Sequence, residues 1–143
     1  MKSFLILLFI ALGGIGSCDS SKEAAKLKDV KWVLETLNGE KVKLAEGGNG
    51  MFIQFDLAEG RVNGRAACNR FFGNFELDGT QLKFSPMGAT RMACPDLQKE
   101  NEFFRMLDQV DEYSIKENTL SFLSKGKIVA TFQKAEETQE VKD

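Results

Sequence analysis

Through most of residues 31–133 apolar and polar positions alternate with a period of two, the pattern of half-buried strands. Trp32 and Leu34 alternate with Lys31 and Glu35, so Lys31 to Leu37 reads as an opening strand, and Asn38-Gly39 is a hairpin turn. Met51 to Leu57 alternates in the same way. Ala58-Glu59-Gly60 turns the chain, and Arg61 to Cys68 runs back through small residues. Phe71 to Leu77 is a further alternating strand, which Asp78-Gly79 closes onto Gln81 to Phe84. Gly47-Gly48-Asn49-Gly50 reads as a loop. A phosphate cradle would need a following Lys-Ser or Lys-Thr and an opening helix, and neither is present.

The period changes once. Phe103, Leu107 and Val110 fall at i, i+4 and i+7, after a Pro95-Asp96 start suited to a first helical turn. One amphipathic helix is expected over about residues 95–110. Strands resume at Glu112 to Lys116, Leu120 to Leu123 and Ile128 to Gln133, with turns at Glu117-Asn118 and Ser124-Lys125-Gly126. The order is five strands, one helix, three strands. The expected class is α+β and mostly β: a small antiparallel cracked β-barrel of about eight strands with the helix laid across one opening. A barrel this small holds side chains rather than a channel, so the phenylalanines at alternating positions are expected to fill it. A phenylalanine-lined ligand pocket is the alternative.

The ends carry different signals. Met1-Lys2-Ser3 is a short positive start, and Phe4 to Leu12 is an unbroken apolar run, shorter than the roughly 20 residues that span a bilayer. Small residues follow, which reads as a secretory signal over residues 1–17. Ile15-Gly16-Ser17-Cys18 resembles the bacterial lipobox, which implies a lipid anchor at Cys18 as the chain's link to a membrane. Polar residues 18–30 are expected to be a flexible tether, 31–133 the domain and 134–143 a polar tail. The expected location is the cell envelope: the periplasmic face of the inner or outer membrane, or the cell surface. Asp19 bears on that choice without deciding it.

Charge and cysteines narrow the chemistry. Nineteen basic residues against 21 acidic ones give a net charge of −2, so no basic footprint for nucleic acid is expected, and a monomer is the simplest state. Cys18 set aside, Cys68 and Cys94 are an even pair in an oxidising compartment, for which a disulfide is the default. The chain has no histidine, so a Cys-His dyad is impossible, and two cysteines alone do not make a usual zinc set. Met87, Met92 and Met106 are irregularly spaced, which favours packing over copper binding. No metal, cofactor or catalytic residue is expected.

Three ordered motifs resemble one family. Trp32-Val33-Leu34-Glu35-Thr36-Leu37-Asn38-Gly39, Cys68-Asn69-Arg70-Phe71-Phe72-Gly73 and Thr90-Arg91-Met92-Ala93-Cys94 are similar to the META domain of HslJ-like, heat-inducible envelope lipoproteins. One departure is Ala67, where the family commonly has glycine. The resemblance spans about Lys31 to Gln133. It implies a cracked barrel with a helix, related in shape to secretin pilot proteins, and an association with stress or antibiotic tolerance. It implies no enzyme activity.

Asn69, Arg70 and Arg91 remain as a candidate anion- or partner-binding set, because guanidinium forks bind planar anions. Internal pairing of the arginines with acids such as Asp96 or Glu100 is the favoured reading. The functional expectation is a non-enzymatic envelope lipoprotein that binds a protein or peptide partner, with a small-molecule or lipid-binding barrel as the alternative. For the anchor the outcome is simple: wild-type chain should take up radiolabelled palmitate in a bacterial host, and Cys18→Ala should abolish the label.

Overall fold

The computed structural model describes residues 19–46 and 50–136. Residues 1–17, expected as a secretory signal, Cys18, expected as the lipid anchor, and residues 47–49 and 137–143 lie outside the described residues. In chain order the elements are α1 (Asp19–Ala25), β1 (Trp32–Leu37), β2 (Glu40–Lys41), β3 (Phe52–Asp56), β4 (Arg61–Arg65), β5 (Arg70–Asp78) and β6 (Gln81–Phe84). They continue with β7 (Gly88–Ala89), α2 (Leu97–Gln109), β8 (Glu112–Lys116), β9 (Thr119–Ser124) and β10 (Lys127–Lys134).

Eight of the strands close an antiparallel ring in the order β1, β10, β9, β8, β6, β5, β4, β3, and β3 returns to β1. The short strands β2 and β7 are additions on β1 and β5. Hairpin turns set much of the register. Asn38-Gly39 and Lys125-Gly126 both take the paired positive φ that suits the twist of two-residue hairpins. The ring has one thin seam: β6 and β8 pair only at Gln81 and Glu112. The Leu82 N–H donates to the Asp111 carbonyl (3.1 Å) and the Tyr113 N–H to the Thr80 carbonyl (2.9 Å). The barrel is therefore closed, and the expected crack survives as this seam. It forms where the chain leaves α2 and enters β8 with only its first residues beside β6.

The interior is filled by rings. Phe122 and Phe132 lie 4.8 Å apart between centroids, Phe55 and Phe75 5.1 Å, and Phe84 and Phe122 5.5 Å. Phe71 crosses Gly64 on the neighbouring strand, where a Cβ would come within 2.7 Å of the ring. Phe71 also contacts Phe103 and Phe104 of α2, 5.4 and 5.8 Å away, and so joins helix to wall. Edge-to-face and tilted ring pairs of this kind add to the area they bury. Tyr113 is buried with its hydroxyl unpartnered, and burial, with the charge of Glu23 second, raises its pKa above the usual phenol value.

Most strand limits shift by a residue from the sequence reading and the short strands β2 and β7 are additions to it, and three other differences stand out. The strand expected over Arg61 to Cys68 stops at Arg65, because Ala66 to Asn69 form the turn into β5, closed by the Ala66 N–H on the Asn69 carbonyl at 2.8 Å. The helix runs over Leu97–Gln109, inside the expected 95–110. The largest difference is residues 18–30, expected as a flexible tether. The described part contains α1, and Leu27 is completely buried in the core. Lys28 bridges Phe55 on β3, and Glu23 Oε1 accepts the Ile115 N–H of β8 at 3.2 Å. Beyond Glu112, β8 has a strand on one side only, so its exposed edge takes a side chain from the N-terminal segment. Leu27 and Val30 are the only large aliphatic residues in this polar stretch and set up no periodicity, which is why the sequence hid this contact.

If Leu27 closes the barrel, Leu27→Ala should cost about 3 kcal/mol, the range for a fully buried leucine. Urea unfolding followed by tryptophan fluorescence would measure it. A change below about 0.5 kcal/mol would return residues 19–30 to the role of a tether.

Candidate functional site

The cysteine motifs meet at the N-terminal end of α2. The turn Ala66–Asn69 delivers Cys68 and Asn69 beside the segment Thr90–Cys94, and Cys68 and Cys94 are joined by a disulfide with Cα atoms 5.7 Å apart. A loop of 26 residues closed in this way restricts the unfolded chain by about 3–4 kcal/mol in the chain-entropy picture.

At the centre is a carboxylate. Glu100, in the first turn of α2, is 4% exposed. Its Oε2 accepts the backbone N–H groups of Cys68 (2.7 Å) and Asn69 (2.8 Å), and its Oε1 accepts Asn69 Nδ2 (2.6 Å). A charge taken from water needs such compensation. Here three charge-assisted hydrogen bonds provide it, together with the positive end of the α2 dipole. Asn69 extends the network. Its Oδ1 accepts Met92 N–H (2.7 Å) and Thr90 Oγ1–H (2.9 Å), and its Nδ2 also donates to the Met92 carbonyl (3.1 Å).

Each candidate residue now has a place. Asn69, expected beside the arginines as a binding residue, is 3% exposed, and both its side-chain atoms are engaged internally. It is a positioning residue for the Thr90–Met92 segment. Arg70 and Arg91 are exposed. The favoured pairing of these arginines with Asp96 or Glu100 is not made. Glu100 is held by the turn, and the Asp96 carboxylate accepts the Ala45 N–H at 3.1 Å. Among the described residues, neither arginine has an acidic partner within 4.0 Å. Of the three methionines, Met106 is buried and Met87 lies against Gly73, as packing requires, but Met92 is 67% exposed. The role of Glu100 had one available signal: it lies three residues before Phe103, on the apolar face of the helix, where a charge needs a partner.

One surface groove adjoins this region and a larger one lies where the chain leaves α2. The first, about 490 Å³, runs between the Met87–Ala93 segment and α2, lined by Met87, Thr90, Arg91, Met92, Leu97 and Phe104 among others. The other, about 710 Å³, follows the β6–β8 seam and mixes carboxylates (Glu76, Asp78, Asp111, Glu112) with Lys83 and Lys125. Among the described residues no group of three or more cysteines and carboxylates could hold a metal ion.

Substitutions separate scaffold from surface. Glu100→Gln places an amide NH2 where an acceptor faces N–H donors, and should cost about 2–3 kcal/mol. Arg70→Ala and Arg91→Ala should stay within about 0.5 kcal/mol of wild type. Denaturant titration of the oxidised protein reads both.

The sequence model of the META domain family matches residues 25–137, a span that starts before Lys31 and includes Leu27. No curated protein sequence matches the chain significantly. Among solved structures, the chain is similar to an NMR structure of a protein from Burkholderia xenovorans, with a TM-score of 0.63 at 20% identity. That match covers 94% of this chain and 99% of the other. A second NMR structure matches with a TM-score of 0.59 at 27% identity, covering 76% of this chain and 92% of the other. The barrel, the motif-bearing turn and the family match over most of the sequence agree: the chain belongs to the META domain family.

Proposed function

We propose that this META-domain chain is a lipid-anchored, non-enzymatic envelope protein whose groove between β7 and α2 receives an extended segment of a partner protein. The role fits envelope maintenance and stress or antibiotic tolerance. The observation that carries the reading is the groove itself. Its rim holds Met92 and Leu97, 67% and 41% exposed, and large apolar side chains left in water beside a concave surface mark contact sites. β7 pairs with β5 alone, which leaves its other side facing the groove, where strand addition or side-chain docking operates. Arg91 on the same wall supplies a cation for a carboxylate on the partner.

The non-enzymatic part rests on residue chemistry. The chain lacks histidine, Cys68 and Cys94 are consumed in a disulfide, and the buried carboxylate Glu100 is engaged by three N–H donors. The small-molecule barrel has less support, since the interior phenylalanines pack on one another rather than around a space.

A photo-crosslinker at Met92 should capture a discrete envelope protein in living cells. The same probe at Ile128, another exposed apolar position, on β10, should not. Leu97→Asp should reduce capture at Met92 about tenfold or more, because it puts a charge where an apolar anchor of the contact stands. Equal capture from both positions, or no effect of Leu97→Asp, would remove the groove as the binding site.

A further inference from the structure

The outer wall made by β3, β4 and β5 carries a row of cations that the groove does not use. Strand alternation turns Ile53, Val62, Gly64 and Phe71 inward, so Phe52, Arg65, Arg70 and Phe72 face outward. The register sets Phe52 opposite Arg65, and Arg65 opposite Arg70. Arg70 continues the row to Thr90: its carbonyl accepts the Thr90 N–H at 3.0 Å and its own N–H donates to Thr90 Oγ1 at 3.2 Å. Arg91 is the next residue. At the other end Lys31 Nζ sits 4.3 Å from the centre of the Phe52 ring.

This arrangement is electrostatically unrelieved. Like charges directly opposite each other on antiparallel strands are destabilising. Among the described residues neither Arg65 nor Arg70 has an acidic partner within 4.0 Å, and Arg65 Nε is buried without a hydrogen-bond partner. Asp56 lies opposite Arg61 at the other end of the β3–β4 pair, where its Oδ1 accepts the N–H groups of Ala58 and Glu59, and Glu35 on β1 accepts the Gln133 amide. Between these rows stands Phe72, 62% exposed, its ring across Gly88 of β7, where a Cβ would come within 2.7 Å. The glycine leaves room for an aromatic ring held in water. The chain as a whole has a net charge of −2, so the cluster is a property of this wall and not of the composition.

We propose that this wall docks onto an anionic phospholipid bilayer. Lys31, Arg65 and Arg70 would face headgroup phosphates, with Phe72 entering the boundary of the acyl region. Guanidiniums bind phosphate bidentately, and cations beside an exposed aromatic are the elements of an interfacial contact. A bilayer fits better than a protein because the row lies on the outer face of a sheet and not in either groove, and its charges are of one sign.

The test uses the full 143-residue chain, produced without lipid modification, in co-sedimentation with phosphatidylglycerol-containing or pure phosphatidylcholine vesicles. The N-terminal apolar run contributes equally to all variants, so the readout is the ratio of anionic to neutral partitioning. Wild type should favour anionic vesicles, less so at high salt. Arg65→Gln/Arg70→Gln should lower that ratio about 30-fold, at about 1 kcal/mol for each cation near the surface. Arg65→Lys/Arg70→Lys should retain most of it, which separates charge from folding. Leu97→Asp should leave it unchanged, keeping this wall distinct from the groove. An unchanged ratio in the Gln variant, or no anionic preference in wild type, would overturn the proposal. So would an equal loss of polyglutamate binding without a vesicle preference, since that would assign the wall to an acidic protein.

Discussion

Glu100 is the contact on which the arrangement of the motifs depends. A carboxylate from the first turn of α2 reaches into the turn between β4 and β5 and accepts two backbone N–H groups and the Asn69 amide. That turn would otherwise bury donors without acceptors, because Cys68 and Asn69 are both nearly inaccessible to solvent. The same contact sets where α2 begins relative to the barrel, and hence where Phe103 meets Phe71. The disulfide runs beside it but acts differently. It limits the freedom of the unfolded chain, while the carboxylate compensates for groups buried in the folded one.

Asn69 carries the order one step outward. Its two side-chain atoms hold Thr90 and Met92, so the segment that forms one wall of the groove is fixed by a buried residue. Among the described residues Arg70 and Arg91 have no acidic partner within 4.0 Å, while Asp96 and Glu100 accept backbone N–H groups. The surface then divides into two faces of different chemistry. One is an apolar-rimmed groove against α2, and the other is a cationic sheet wall with a single exposed ring.

Much of the barrel was legible. Period-two alternation located the eight ring strands, and Asn38-Gly39, Asp78-Gly79 and Lys125-Gly126 marked turns that the structure forms. The helix was visible from one change of period. What escaped was the contribution of residues that follow no period. Leu27 sits in a mostly polar stretch without a period, and Glu100 reads as an ordinary helix-start acid unless its position on the apolar face is weighed. Gly88-Ala89 is too short to signal a strand. In the motifs, the residue types were evident but their division of labour was not: Asn69, the last residue of the turn, is buried, while its neighbour Arg70, the first of β5, is exposed.

By itself, then, the sequence determined the class of fold, the family and the identity of the cysteine pair, because periodicity, turn residues and motif order are local properties of the chain. Tertiary structure decided which polar residues are inside. Glu100 and Asn69 are buried because donors 31 and 32 residues away converge on one carboxylate. Arg65 and Arg70 face each other because strand register pairs them. Both outcomes follow from pairings between distant segments, and no local pattern records which segments will meet.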